Sequence, residues 1–103
     1  MIKHIVFYDH IDGLTNAERK EDATLIKTEL EGLQGVIPGL TEMIVYSDLL
    51  NSGNADIVLY SVFESRDALE AYKDHPEHVR VATTIVRPRV TNRRCADFST
   101  TKP

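Results

Sequence analysis

Residues 2–8 read Ile-Lys-His-Ile-Val-Phe-Tyr, and this stretch decides the fold. Its content of β-branched and aromatic residues predicts a strand. Side chains alternate along a strand, which puts His4, Val6 and Tyr8 on one face. Ile5 and Phe7 lie on the other face, so both faces are substantially apolar and both need cover. Because helices can supply only one of these covers in a small protein, the strand indicates helices on one side and a second sheet on the other.

Outward from this strand, the elements follow in the order β-α-β-β-α-β. Residues 51–54, Asn-Ser-Gly-Asn, are a loop signal between two strand-like segments, 41–49 and 56–63, which should form a hairpin. A fourth strand is predicted over 89–98, after the break at Pro88. This order is typical of the split ferredoxin-like α+β fold, in which helices pack on one face of a four-stranded antiparallel sheet.

The helices carry clear start signals. Thr15 and Glu18 form a capping-box pattern, in which each side chain can satisfy a free backbone N–H of the first turn. The apolar stripe of this helix recurs at helical spacing and comprises Ala23, Ile26, Leu30 and Leu33. A second helix, predicted over 65–74, begins with a serine cap. The pair His75-Pro76 then breaks the backbone and starts a third helical segment.

The sheet face without helices stays too apolar to be left in water, and Val6, Val45 and Val58 are assigned to it. The simplest cover is the same sheet of a second copy, joined through an isologous interface as a dimeric α+β barrel. We therefore expect a homodimer whose protomer has one domain, residues 1–99, followed by a polar tail, residues 100–103.

Composition narrows the classes of partner. The 103 residues suit one domain, and the net charge of −4 weakens any case for nucleic acid, which usually binds a net basic face. One basic run stands apart and comprises Arg87, Arg89, Arg93 and Arg94. These arginines could contact phosphate, but a solvated edge strand is the favoured interpretation. We expect no nucleic-acid partner.

The single cysteine, Cys95, rules out an intrachain disulfide and is typical of a reducing compartment. The start of the chain acquires charge too early for a signal peptide. No stretch approaches the ~20 apolar residues that a membrane span needs. These features predict a cytoplasmic protein that does not associate with membranes.

The segment Tyr72-x-x-His75-Pro76-x-His78 carries a family pattern. Together with residues 2–6 at the start, the Phe-Glu-Ser of 63–65 and Ala-Asp-Phe at 96–98, it resembles the stress-responsive A/B barrel (Dabb) family over nearly the whole chain. The resemblance implies a ferredoxin-like protomer and a dimeric α+β barrel whose two sheets enclose a pocket. It implies no single activity, because members include stress-associated proteins of unknown chemistry and a plant polyketide cyclase.

By position, Tyr72 and His78 match the acid/base pair of that cyclase. His4 matches a histidine that lines its pocket, and Asp97 matches an aspartate late in the last strand. The residue types suit the role, because histidine is a base near neutral pH and a tyrosine hydroxyl can stabilise a developing enolate oxygen. The alternative is that Tyr72 packs on the first helix while His78 bonds to backbone.

The chain departs from the cyclase at three positions. Asp56 stands where the cyclase has another pocket histidine, and Arg93 and Cys95 stand on the fourth strand where the cyclase is apolar. These departures imply a smaller or anionic ligand, with Asp56 and Arg93 among the groups that would contact it. Asp56 has a second interpretation, as the residue that begins a strand after a loop.

His4 also has two interpretations. It is either a core histidine with satisfied hydrogen bonds or a pocket residue whose imidazole Asp97 would orient. A metal site at His4, His75 and His78 is disfavoured, because the proline between the last two breaks the register that a two-histidine site uses. We expect no metal and no cofactor. Cys95 beside its arginines is interpreted as a small apolar residue rather than a nucleophile.

Three functions stay open. The favoured one is binding of a small anionic or carbonyl ligand in a Tyr/His-lined cavity, with cofactor-independent acid/base catalysis of the cyclase or lyase kind. The second is a non-catalytic, stress-associated homodimer. The third is a cofactor-free oxygenase or isomerase, which no motif in the sequence favours.

Overall fold

A computed structural model describes residues 1–101, and its elements follow the predicted order. They are β1 Ile2–His10, α1 Asn16–Glu31, β2 Leu40–Tyr46, β3 Ile57–Phe63, α2 Arg66–Asp74, α3 Pro76–Val81 and β4 Val90–Ser99. A π-helical turn, Ala82–Val86, and a 3-10 turn, Arg87–Arg89, join α3 to β4. The sheet is antiparallel with strand order β2-β3-β1-β4. The ferredoxin-like α+β fold is therefore confirmed.

The predicted helix starts are confirmed. Thr15 accepts the N–H of Glu18 at 3.1 Å, and the Glu18 carboxylate accepts the N–H of Thr15 at 2.9 Å. Ser65 caps α2. His75 has extended backbone between α2 and α3, and its Nδ1 accepts the N–H of Glu77 at 3.1 Å.

The core lies between the sheet and the helices. Cross-strand partners share a face, so the register assigns each strand residue to the covered or the open side. Val6 and Val45, which were assigned to the open face, are each 1% exposed within the core, so this prediction was wrong. Val58 does lie on the open face, which also carries Ile5, Phe7, Ile44, Tyr46, Tyr60 and Phe98.

β4 carries a bulge opposite Tyr8. β1 supplies this one residue where β4 supplies two, Asn92 and Arg93. Asn92 has a φ of 54°, in the left-handed region, and its side-chain amide donates to Oδ2 of Asp9 at 2.8 Å. Arg93 lies on the covered face beside Tyr8 because it alternates with Cys95 and Asp97 along β4, and the bulge lies directly next to it.

The end of the chain stays close to its start. The N–H of Thr100 donates to the carbonyl of Met1 at 2.9 Å, so the predicted polar tail begins with a residue that extends the β1–β4 pairing. Lys102 and Pro103, the rest of that tail, lie outside the described residues. Among residues 1–101, none of the helices combines the length and apolar character needed to cross a membrane.

Candidate functional site

A cavity of about 330 Å³ opens between the covered face of the sheet and the helices. β1 contributes His4, Val6 and Tyr8 to its lining. The other lining residues are Leu30, Leu59, Tyr72, Lys73, His78, Ala82, Val86, Arg87, Val90 and Arg93. All of these belong to one chain. The prediction that Tyr72 and His78 line a chamber between two sheets is therefore wrong, because their cavity lies on the helix side of the sheet.

Tyr72 lies at the inner wall of this cavity and is 1% exposed. Its ring packs edge-on against Phe63 at 4.9 Å between centroids. Its buried hydroxyl has no hydrogen-bond partner within residues 1–101. Burial raises the pKa of Tyr72 far above its ordinary value, so the hydroxyl keeps its proton. The group is thus a protonated donor without an acceptor among the described residues, on a side chain that lines the cavity.

His78 lies against Tyr72, with ring centroids 4.1 Å apart and planes tilted by 35°. Its Nδ1 is 3.2 Å from the carbonyl oxygen of Lys73, an acceptor, so the neutral ring carries its proton on Nδ1. Burial lowers the pKa of His78, which favours the neutral ring near pH 7. Nε2 is then left with a free lone pair. His78 is poised as a base beside a hydroxyl donor.

Cationic side chains dominate the polar lining of the cavity. Arg93 interacts with the Tyr8 hydroxyl, which burial otherwise holds at a raised pKa. Arg87 and Lys73 complete the set, and Lys73 is paired with Glu70 at 3.2 Å. No carboxylate within residues 1–101 lines the cavity or forms an ion pair with Arg87 or Arg93. A positive cavity in an acidic chain favours an anionic ligand.

His4 takes both of its predicted roles. It is 5% exposed in the core and also lines the cavity. Its Nδ1 hydrogen-bonds directly to Oδ1 of Asp97, so this carboxylate orients the imidazole as expected. Asp97 itself does not line the cavity. Cys95 lies beside both groups, and burial followed by the Asp97 charge raises the pKa of its thiol, contrary to a thiolate activated by neighbouring arginines.

Asp56 does not reach the cavity, so its expected contact with the ligand there is wrong. It lies just before β3, where its carboxylate accepts the N–H of His10 at 2.8 Å and its own N–H donates to Tyr8 O at 3.0 Å. The strand-start interpretation explains it fully. Sequence reasoning did not assign Tyr8, Arg87 or Lys73 to the site, although the alternation of β1 had signalled the first of these.

His4, Cys95 and Asp97 are the set within residues 1–101 whose donor atoms lie close enough together to hold a metal ion. His75 and His78 do not join His4 in such a set, because His75 caps α3 through its Nδ1. The described residues therefore offer a proton-transfer pair inside the cavity and a mixed N/S/O cluster at its edge.

With this geometry in place, comparison with known proteins decides the family. The family model of the stress-responsive A/B barrel domain, which describes the sequences of that family, matches residues 2–100. The chain belongs to this family. A comparison with curated proteins found no match.

Solved structures similar to this stress-responsive A/B barrel domain include two dimeric ferredoxin-like proteins of unknown function. One, from Bacteroides fragilis, has 27% identity and a TM-score of 0.86, with 96% of this chain and 95% of that chain covered. The other, from Thermobifida fusca, has 30% identity and a TM-score of 0.78, with 96% and 90% covered. A hydroxynitrile lyase from Passiflora edulis, at 19% identity and TM-score 0.77, covers 99% and 94% and shares the fold.

Proposed function

We propose that this stress-responsive A/B barrel domain binds a small anionic carbonyl compound and catalyses proton transfer at the carbon next to the carbonyl. One observation carries the proposal: the ring of Tyr72, whose buried hydroxyl has no hydrogen-bond partner within residues 1–101, packs against the ring of His78 in a cation-lined cavity. An unpaired buried hydroxyl costs roughly 1–3 kcal/mol, so a ligand oxygen that accepts its hydrogen bond would be favoured.

The route of the proton follows from the protonation states of Tyr72, which keeps its proton, and of His78, whose neutral ring has a free Nε2. Nε2 of His78 removes a proton from the carbon next to the carbonyl, and the C–H electron pair moves into an enolate. The enolate oxygen accepts a hydrogen bond from the Tyr72 hydroxyl, which retains its proton. The Lys73 carbonyl stabilises the imidazolium through Nδ1–H while it holds the proton. Return of the proton to carbon completes an exchange. Attack of the enolate carbon on a second carbonyl would instead form a C–C bond, with the new alkoxide taking the proton from the imidazolium, in a cyclase-like reaction whose reverse is lyase-like.

Charge and size define the ligand class. Arg93 and Arg87 supply positive charge without a carboxylate partner among residues 1–101, which suits a carboxylate on the ligand. A volume of about 330 Å³ lies near the lower end of the roughly 300–1,000 Å³ typical of ligand pockets. A small oxo acid fits these limits better than a long apolar chain does. A hydroxynitrile lyase has the same fold, so the fold itself is compatible with an enzyme.

The test is solvent exchange at the reactive carbon. A panel of small 2-oxo and 3-oxo carboxylates is incubated with the protein in D₂O, and loss of the proton signal is followed by NMR. We expect the wild type to accelerate exchange of at least one compound. Tyr72→Phe and His78→Gln should each lower the rate by about 10²-fold or more. Arg93→Gln should raise the concentration needed for half-maximal rate, because it removes charge that holds the anion.

Matched substitutions separate chemistry from folding. Tyr46→Phe removes the hydroxyl of a tyrosine on the open face, and His75→Asn replaces a histidine with another good helix cap. Both should exchange at the wild-type rate. Binding without exchange would overturn the catalytic part of the proposal and leave a binding protein. If the protein neither binds nor exchanges any of the compounds, or if Tyr72→Phe exchanges at the wild-type rate, the whole proposal would be overturned.

The same proposal includes a homodimer formed through the open sheet face. That face carries mostly apolar and aromatic residues beside Lys3, Glu42 and Arg94, and two of its aromatic residues are exposed, Tyr46 at 48% and Phe98 at 45%. Exposed apolar residues rimmed by polar ones are typical of protein interfaces. Two similar structures are described as dimeric. Because the cavity opens on the other side of the sheet, the dimer would support the fold without supplying the reacting groups.

A further inference from the structure

Three side chains of different chemistry meet at the β1–β4 edge of the sheet. His4 lies on β1, while Cys95 and Asp97 lie two residues apart on β4. Asp97 pairs directly with His4, and Cys95 pairs with Val6, so all three side chains belong to the covered face. We propose that His4, Cys95 and Asp97 bind a divalent transition-metal ion of the Zn²⁺ type. This site goes beyond the proposed proton transfer, which uses none of the three as acid or base.

Two of the three donor–donor distances fit a tetrahedral ion. With bonds of about 2.1 Å to nitrogen and 2.3 Å to sulfur, tetrahedral angles require an N–S separation of about 3.6 Å. The Sγ of Cys95 lies 3.6 Å from Nδ1 of His4. The corresponding S–O separation is about 3.5 Å, and Cys95 Sγ lies 3.5 Å from Oδ1 of Asp97. The hydrogen-bonded N–O pair would open to about 3.3 Å, a movement that the exposed Asp97 side chain can make.

The donor set selects the kind of metal. A thiolate with an imidazole suits Zn²⁺ and similar borderline ions, whereas Mg²⁺ and Ca²⁺ prefer oxygen ligands alone. On binding, the Cys95 thiol would give up its proton, and the neutral His4 ring would carry its proton on Nε2. Three protein ligands leave one tetrahedral position for water or an anion, as in zinc sites that are open to solvent.

The surroundings pre-organise the buried ligand and leave access to the other two. The His4 carbonyl accepts a hydrogen bond from Ser61 Oγ at 2.9 Å, and its ring meets the edges of Phe63 at 6.3 Å and Tyr72 at 6.4 Å. Cys95 and Asp97 are solvent-exposed, so an ion can enter from the sheet edge. A hydrogen-bonded pair of His4 and Asp97 needs no third group. The Cys95 thiol nevertheless lies at the tetrahedral donor–donor distance from both.

The test measures metal binding directly. The purified chain is stripped with a chelator and titrated with Zn²⁺ against a chromophoric competitor, and with Co²⁺ while its absorption is recorded. We expect one ion per chain, a thiolate-to-cobalt charge-transfer band, and affinity losses of about tenfold or more in Cys95→Ser and Asp97→Asn. Both substituted residues are exposed, so these variants should fold. His75→Asn is the matched control and should bind like the wild type.

Each other outcome counts against the site. Weak binding that Cys95→Ser does not alter would place any ion elsewhere, and a cobalt spectrum without the thiolate band would remove Cys95 as a ligand. No binding at all would show that the cluster is a hydrogen-bonded His4–Asp97 pair only. Failure here would leave the exchange test of Tyr72 and His78 unaffected, because neither residue supplies a ligand atom and Tyr72→Phe keeps the ring that meets His4.

Discussion

At the scale of single residues, the pair Tyr72 and His78 could be named from the sequence, and so could His4 and Arg93. The family pattern and the strand alternation brought them together. Their states could not be predicted, because these depend on partners distant in sequence. Only the fold shows that the Tyr72 hydroxyl lacks an acceptor in the described part of the chain and that the backbone of Lys73 fixes the His78 tautomer.

The hydroxyl of Tyr72, which has no hydrogen-bond partner within residues 1–101, lets us predict how its removal changes the free energy of unfolding. Tyr72→Phe removes a buried polar group that has no hydrogen bond to lose, so the free energy of unfolding should stay unchanged or rise by up to about 1 kcal/mol. Urea denaturation at fixed protein concentration measures it. Tyr60→Phe is the control, since the Tyr60 hydroxyl accepts a hydrogen bond from Lys3 Nζ, and should lose about 1 kcal/mol. A loss for Tyr72→Phe as large as that would mean that its hydroxyl has a protein partner.

The pH dependence of exchange should show a single acid limb. Burial lowers the pKa of His78 below its ordinary value of 6.5, helped by the charges of His4, Arg87 and Arg93 and opposed by the Lys73 carbonyl. The base works only when neutral, so the rate should rise with pH through that lowered value and then stay level. Tyr72 keeps its proton throughout, because its pKa is raised. A rate profile that rises only above pH 6.5 would contradict this.

The lowered pKa of His78 also makes the stability of the fold depend on pH, through proton linkage. Because the folded pKa of His78 lies below the unfolded one, the unfolded state binds more protons between the two values. Stability should therefore fall as pH drops from about 6.5 through the folded pKa, and His78→Gln should remove this part of the loss. Thermal melting of both proteins across this range measures the difference. If the melting temperatures of the two proteins changed in parallel with pH, the pKa of His78 would not be lowered in the folded state.

At the scale of elements, the caps and the break at His75-Pro76 were predictable because they are local. The bulge in β4 was not, since one Asn in a strand-like run is a weak signal for a left-handed residue. The same holds for the assignment of Val6 and Val45, which depends on which side of the sheet receives the helices. Periodicity defines two faces of a strand but does not say which one is covered.

The bulge predicts a functional effect of Asn92, a residue outside the cavity. Its φ of 54° is easy for glycine and strained for a β-branched residue. Asn92→Val should flatten the bulge, turn Arg93 away from Tyr8 and raise the half-saturating concentration of the oxo acid in the exchange assay. Asn92→Gly should keep near wild-type behaviour. Equal behaviour of the two variants would mean that the bulge does not position Arg93.

At the scale of the whole molecule, the sheet separates two surfaces with different tasks. The covered face holds the cavity, and the open face carries the apolar residues proposed for dimer formation. The sequence predicted that both faces need cover but located the pocket between two sheets. It could not do better, because Tyr72 and His78 lie on helices whose side of the sheet is a property of the packed fold.

This separation predicts that assembly and chemistry can be uncoupled. Sedimentation at micromolar concentration should give twice the protomer mass of 11.6 kDa. Val58→Arg places a charge in the open face and should give the protomer mass, with exchange retained wherever the variant is folded. Val79→Arg, at an exposed position on α3, is the control and should remain dimeric. A wild type that sediments as a protomer would remove the dimer from the proposal.

The protonation of His78 tests the central claim most directly, because the proposed chemistry needs a neutral ring with a free Nε2. Long-range proton–nitrogen NMR of the ¹⁵N-labelled chain at pH 7 distinguishes the imidazole tautomers. We predict a neutral His78 ring with its proton on Nδ1, and an Nε2 resonance that moves when an exchanging oxo acid is added. A charged ring, or a proton on Nε2, would contradict the account.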